Sequence, residues 1–252
     1  MVQLKDLEKY ANAVLEIGQF KDYCPNGLQV EGNNEVRALI SGVTASQALV
    51  DAAIQQNADL ILVHHGYFWK GENPRITGIK KQRLKSLLEA NVSLLAYHLP
   101  LDAHPEYGNN AQLAKLLGFT VQGNFGPEGS AQIGVFGSLN QPMGPADFSR
   151  HLHQHLGREP LHIAGNAQRI NAVAWCTGAA QSYIDDAVAI GVDAFVSGEI
   201  SEQTVHIARE SGVHYYAAGH HATERYGVQA LGEHLAEHFQ ISHQFIDIDN
   251  PV

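Results

Sequence analysis

The chain has almost no cysteine: of its 252 residues only Cys24 and Cys176 carry thiols, and neither belongs to a CxxC pair. Two thiols cannot build a disulfide framework or a thiolate metal cage, so a disulfide-stapled fold is excluded and a reducing, cytoplasmic setting is expected. Positive charge is scarce as well. Sixteen Lys and Arg face 26 Asp and Glu, a formal net charge of −10. No broad basic surface is then available to hold a phosphate backbone by counterion release, and direct nucleic-acid binding is disfavoured. No apolar run approaches the ~18 residues that would cross a membrane, so no membrane partner is expected. The opening Met1–Leu7 lacks the basic segment and apolar core of a secretion signal. A glycine-rich phosphate loop, a GxSxG elbow and a dinucleotide fingerprint are missing too.

Hydrophobic residues, by contrast, make up 44% of the chain, enough for one large or two small cores. The one excess is histidine, with 15 residues. Imidazole is the commonest transition-metal ligand, yet many solvated histidines bind nothing, so position must decide.

Leu60-Ile61-Leu62-Val63 is a four-residue aliphatic run that reads as a buried strand of an α/β sheet, and it ends on His64-His65-Gly66. Val92–Tyr97 runs in the same way into His98-Leu99-Pro100-Leu101-Asp102, and Val213–Ala218 into Gly219-His220-His221-Ala222-Thr223-Glu224. Ligand sites in open α/β sheets form beyond the carboxyl ends of the strands. Each stretch has a bland alternative: His64-His65 as a chance pair pointing to opposite faces, His98–Asp102 as an ordinary turn, His220/Glu224 as a helix-end ion pair. All three at equivalent strand ends favour metal binding. His220 and Glu224, four apart on a starting helix, share a face. His151, His153 and His155 alternate on a helix, where residues two apart diverge, and read as a solvated face. His206, His234, His238 and His243 have no converging acid and read as surface or helix residues. Cys176 reads as inert core, and Cys24 as a residue preceding a turn.

Apolar spacing predicts an amphipathic helix over about 4–17, a turn at Cys24-Pro25-Asn26-Gly27, a strand at Leu28–Glu31, and a β-α-β unit from Val36 to His65. That unit returns: Ala38–His65 lies without a gap on Ala172–Glu199 at an offset of 134, with Ala45/Ala179, Gln47/Gln181, Asp51/Asp185 and Asp59/Asp193 identical. Duplication is favoured over the chance likeness of any two such units. The fold class expected is therefore α/β, with two similar intertwined lobes and the metal site in the cleft between them. The first lobe is placed at residues 1–118 and the second at 119–252, whose C-terminal helix and strand could pack back on the first. Glu199, the counterpart of His65, either lines the site or caps the helix after Ser201.

Mixed imidazole and carboxylate ligands suit Zn, Mn, Fe or Co, whereas Mg and Ca prefer oxygen. The ligands exceed what one tetrahedral ion needs, so a dinuclear site is favoured.

At Pro25-Asn26-Gly27-Leu28-Gln29-Val30, Ser41-Gly42-Val43-Thr44-Ala45-Ser46, Val63-His64-His65-Gly66, His98–Asp102 and Gly219–Glu224 the chain resembles the Nif-three-like family of dinuclear metal-centre proteins. These are labelled GTP cyclohydrolase 1 type 2 homologues, and the likeness to their YbgI-like branch is close. The resemblance implies two α/β lobes and ring-shaped homohexamers. It also implies two divalent transition-metal ions per subunit on His64, His65, Asp102, His220 and Glu224, with His98 as a further ligand or a group beside them. The stretch from Gly118 to Ile170 leaves no room for the extra domain of longer relatives. The function expected is hydrolysis of a nucleotide-like or small ring substrate, with His98 as the catalytic acid-base, a role for which an imidazole is suited near neutral pH. The competing reading is a non-catalytic metal- or partner-binding ring, as some relatives are linked to radiation resistance.

Overall fold

A computed structural model describes residues 1–128 and 131–252, and the chain divides into two compact units, Met1–Gly108 with Gly227–Asp249, and Asn109–Tyr226 with Asn250–Val252. In chain order the first unit holds β1 (Val2–Gln3), α1 (Leu4–Val14), β2 (Gly27–Val30), β3 (Glu35–Val36), β4 (Ala38–Thr44) and α2 (Gln47–Gln55). It continues with β5 (Leu60–His65), α3 (Gly78–Ala90), β6 (Ser93–Ala96) and α4 (Leu99–Ala103). The second unit holds α5 (Asn109–Leu117), β7 (Phe119–Phe125), β8 (Gly134–Met143), α6 (Pro145–Leu156), β9 (Leu161–Ile163), β10 (Ile170–Cys176), α7 (Ile184–Ala189), β11 (Ala194–Ser197), α8 (Glu202–Ser211) and β12 (His214–Ala217). α9 (His220–Phe239) starts in the second unit and ends in the first, where β13 (Ser242–Phe245) follows.

The first unit is built on a five-stranded sheet in the order β13-β4-β5-β6-β2, parallel except for β2 at its edge. Side chains alternate across a strand. Ile61 and Val63 therefore join one core with Leu49, Val50 and Ala53 of α2 and Leu84 and Leu87 of α3. Leu60 and Leu62 join the other with Leu4, Leu7 and Ala11 of α1 and Val228, Leu231 and Leu235 of α9. Each fully buried leucine contributes roughly 1.5–3 kcal/mol. Both faces are covered, which is why β5 is an unbroken apolar run.

The second unit has a six-stranded sheet, β7-β8-β10-β11-β12-β9, with β10, β11 and β12 parallel. Val173, Trp175, Val196 and Tyr216 pack with Phe148, Leu152 and Leu156 of α6, and Ala174, Phe195 and Tyr215 pack on the opposite face with Ile184 and Ala208. The β-α-β segments that contain Asp59 and Asp193 share a local device. Asp59 Oδ2 accepts from the backbone N–H groups of Arg37 and Ala38, at 2.8 and 3.0 Å. Asp193 Oδ2 accepts from those of Asn171 and Ala172, both at 2.9 Å.

Several boundaries differ from the sequence reading. The opening helix stops at Val14, because Glu16 takes a left-handed φ of 48° before a short 3-10 turn. The last helix begins at His220, in line with the four-residue spacing of His220 and Glu224, and the final strand covers Ser242–Phe245. His243 is a strand residue, its Nε2 2.8 Å from Ser41 Oγ, and not a surface or helix one. His98–Asp102 is not an ordinary turn but leads into α4, with Pro100 in its first turn, where its missing N–H costs nothing.

Candidate metal centre

In the first unit the ligand candidates sit at the carboxyl ends of the parallel strands, because β5 terminates on His64-His65 and β6 leads through Tyr97 to His98. His64 is fully buried. Its Nδ1 donates to the Tyr97 carbonyl at 2.9 Å, so the lone pair is on Nε2, which faces Asp102 Oδ1 at 3.5 Å. His65 Nδ1 pairs with Thr44 Oγ1 at 3.1 Å, and His98 Nδ1 donates to Asp22 Oδ1 at 2.7 Å. Nitrogens of His64, His65 and His98 all lie within 4.8 Å of one another. The adjacent pair does not diverge; its ring centroids are 4.5 Å apart. Asp102 is buried on α4, its N–H bonded to the His98 carbonyl at 3.1 Å.

In the second unit α9 places His220 Nε2 3.0 Å from Glu224 Oε2. Glu199, which follows β11, accepts from His220 Nδ1 at 2.7 Å. The open choice for Glu199 therefore resolves onto the imidazole, while Ser201 caps α8 by accepting from Thr204 N at 3.4 Å. Burial alone would depress the imidazolium, but the hydrogen bond and charge of Glu224, then those of Glu199, hold His220 up to about 9. Gly178 closes this cradle at a φ of 69°, and a Cβ there would collide with the Glu224 carboxylate and lie 3.2 Å from His220 Nε2. Thr223 Oγ1 fixes the loop by accepting from Gly178 N at 3.1 Å and donating to the Gly219 carbonyl.

The arrangement has a clear chemical meaning. An imidazole that donates through Nδ1 has only a lone pair at Nε2 unless it carries a second proton. His64 and His220 both donate through Nδ1 and both aim Nε2 at a carboxylate. Each pair can take a cation between its nitrogen and its carboxylate, either a proton or a metal ion. Nε2 donors beside carboxylates, with Nδ1 held from behind, suit Zn, Mn, Fe or Co.

Other candidates do not join these clusters. His151 bonds the Leu117 carbonyl at 2.8 Å, His153 is 3.5 Å from Glu159, and His155 pairs with the His151 carbonyl. His206 pairs with Glu202. His234 lies between Tyr10 and Tyr107, its Nε2 and Nδ1 2.9 and 3.0 Å from their hydroxyls. Cys24 comes close to Asp22 and His98, but burial, and then the Asp22 charge, push its thiol up to about 12, opposite to what a thiolate ligand needs. Cys176 is buried core. Asp22 and Thr44 escaped the sequence reading as site residues. Asp22 is held down at about 2: burial would raise it, but the His98 hydrogen bond and charge, then Asn26 and Tyr23 N, outweigh that. Its one sequence signal is its place just ahead of the Pro25-Asn26-Gly27 turn.

A profile of Duf34/NIF3 (NGG1p interacting factor 3) matches residues 2–251. A Pseudomonas aeruginosa protein named GTP cyclohydrolase 1 type 2 homolog is 60% identical over 250 residues, 99% of each chain. One of the same name from Escherichia coli K12 is 52% identical over 247 residues, 98% of each. A solved structure described as "protein ybgI, unknown function" matches with a TM-score of 0.96 at 50% identity, covering both chains fully. That of TTHA1606 from Thermus thermophilus matches at 0.89 and 32% identity, again over both full chains.

Proposed function

The chain belongs to the Duf34/NIF3 family, and on that premise we propose that it is a metal-dependent hydrolase of a nucleotide-like or other small ring substrate. His64, His65, Asp102, His220 and Glu224 are the proposed ligands of two transition-metal ions per chain. The observation that carries the reading is the shared proton arithmetic of His64 and His220: Nδ1 donates to an acceptor while Nε2 meets a carboxylate. When bound, a pair of such ions supplies Lewis acidity and a water acidic enough to ionise near neutral pH. His98 stands beside His64 and His65 with Nδ1 engaged, so Nε2 is the atom that takes or gives a proton. The relatives named GTP cyclohydrolase 1 type 2 homolog are consistent with a guanine-like ring as substrate.

The two units are further proposed as copies of one ancestral α/β unit, supported by the equivalent bonding of Asp59 and Asp193. The assembly is proposed to be a homohexamer of about 164 kDa, six copies of the 27.4 kDa chain. Sedimentation at micromolar concentration tests that directly, and a monomer refutes it.

One observation favours a non-catalytic metal- or partner-binding ring instead. Of the basic residues that follow His64-His65 most closely in sequence, Lys70, Arg75, Lys80 and Lys81, Lys80 is engaged by Glu72 and lies over Phe68, which leaves three to grip a triphosphate. Elemental analysis of metal-loaded protein, paired with an unbiased hydrolysis screen, separates the readings. Two ions per chain with turnover that vanishes in Glu224→Ala supports the hydrolase. Two ions without turnover supports the ring, and fewer than two ions refutes the dinuclear centre.

A further inference from the structure

Asp22 has only 3% of its side chain exposed, and both its carboxylate oxygens are hydrogen-bonded. Its Oδ1 lies 2.7 Å from His98 Nδ1 and accepts from Tyr23 N at 2.6 Å. Its Oδ2 accepts from Asn26 Nδ2 at 2.8 Å and from Leu99 N at 2.9 Å. Three N–H donors, from Tyr23, Asn26 and Leu99, converge on this buried carboxylate and hold it ionised, and an ionised carboxylate can only accept. The proton shared with His98 therefore belongs to Nδ1.

Asn26 reinforces the same choice. Because its Nδ2 is committed to Asp22, its Oδ1 faces the other way and accepts from the His98 backbone N–H at 2.7 Å. The imidazole edge is thus held through Asp22 and the backbone through Asn26, while the Trp69 ring packs nearly perpendicular to the imidazole at 4.9 Å. Gln29 ties this turn to the other histidines. It donates from Nε2 to the Pro25 carbonyl at 2.8 Å and accepts at Oε1 from the N–H of Tyr67, two residues past His65, at 2.6 Å. The Asp22–Gln29 stretch therefore fixes both histidine-bearing loops of the first unit.

We propose that Asp22 is a positioning residue that locks His98 in the Nδ1–H form, so that its Nε2 lone pair is delivered to the His64–His65 cluster. This rests on the hydrolase reading for its use but not for its test. In the proton-transfer step a water O–H bond breaks, its proton bonds to Nε2 to give imidazolium and leaves hydroxide, and Nδ1–H stays hydrogen-bonded to Asp22. The carboxylate takes no proton; it stabilises the cation that forms and prevents the ring from flipping. The arrangement follows the logic of carboxylate-oriented histidines at catalytic sites.

The test uses the full chain with isotopically labelled histidine, in metal-free form above pH 8, where nitrogen NMR distinguishes protonated from lone-pair ring nitrogens. Comparison with His98→Gln assigns the His98 signals. The wild type should show a single form with the proton on Nδ1. Asp22→Ala should lose that preference and populate the Nε2–H form favoured by free side chains in water. Asp22→Asn keeps the bulk and, should the alanine variant not fold, carries the test; it should also show a mixture. A wild type with Nε2–H, or variants that all keep the wild-type signal, overturns the proposal. A wild type locked by Asp22 that hydrolyses nothing in a broad screen removes the hydrolase reading and leaves the positioning role intact.

Discussion

His220 offers the sharpest quantitative test, because both its nitrogens face carboxylates, Glu199 at 2.7 Å and Glu224 at 3.0 Å. In the metal-free chain these hold its proton up to about 9, against an ordinary value of 6.5. The interval corresponds to at most about 3 kcal/mol of stabilisation. The sign follows from its being a raised group: the contribution is complete below pH 6.5 and is lost as pH rises through about 9. A metal ion needs the same Nε2 and must displace the proton, so affinity should climb about tenfold per pH unit up to that point and flatten above it. From pH 7 to 9 the gain from this proton alone is about 100-fold. Glu199→Gln keeps an oxygen to accept from Nδ1 but removes its charge. The bend in affinity should then move down toward 6.5, and affinity on the plateau should fall by about 10–100-fold. Chelator-buffered zinc titrations from pH 6.5 to 10, with urea melts of the metal-free chain alongside, measure both effects. Affinity that is flat between pH 7 and 9, or metal-free stability that rises there, refutes the reasoning.

Two further outcomes follow from other parts of the structure. Gly178→Ala should strip metal from the His220–Glu224 pair, since the added Cβ collides with Glu224, and should cost a further ~1–2 kcal/mol for an L-residue at a φ of 69°; unaltered metal content by elemental analysis would contradict it. Burial is the main cause that lowers His104, His162 and His243, with His214 adding at His162. Their contribution is present above pH 6.5 and lost as pH falls, so urea midpoints of metal-free protein should drop between pH 7 and 5.

The strands carrying His64-His65, His98 and His220 were legible because each is an apolar run that stops abruptly at polar residues. Period and termination are both written in one short window. The His220–Glu224 pair was legible for a similar reason, as spacing of four on a helix fixes a shared face. Asp22 was not, because its role depends on a turn that brings it to a residue 76 positions away, and no local pattern records that distance. α3, α5 and β7 also went unread. α3 mixes Lys80, Lys81, Arg83 and Lys85 with few apolar positions and buries only Leu84 and Leu87, so its stripe is too narrow to stand out. His243 was misplaced because β13 alternates around weakly apolar residues and is recognised only once Ser242–Phe245 pairs with Ala38–Ser41.

How a buried sheet gives rise to this site can be traced through strand order. In the first unit β5 lies between β4 and β6. Thr44 is the register partner of His65 on one side, and Val63 pairs with Ala96 on the other, which sets Tyr97 beside His64. The ladder continues past the formal strand ends, with Ala45 N on the His65 carbonyl and Tyr97 N on the Val63 carbonyl. The hydrogen-bond partners behind both imidazoles are therefore supplied by the neighbouring strands on either side. Successive residues at the end of β5 face opposite neighbours, so His64 takes the Tyr97 carbonyl and His65 takes Thr44. A slip of one residue in either pairing would turn the histidines to the wrong faces and exchange their partners. The apolar packing that fixes register, Ile61 and Val63 on one face and Leu60 and Leu62 on the other, thereby also fixes which nitrogen each histidine can offer. The same rule places Glu199, one strand over at the end of β11, behind His220 at the end of β12. Orientation of the candidate ligand nitrogens is a consequence of core packing, and a core substitution that shifts β5 should disturb the proposed metal binding without touching a single candidate ligand.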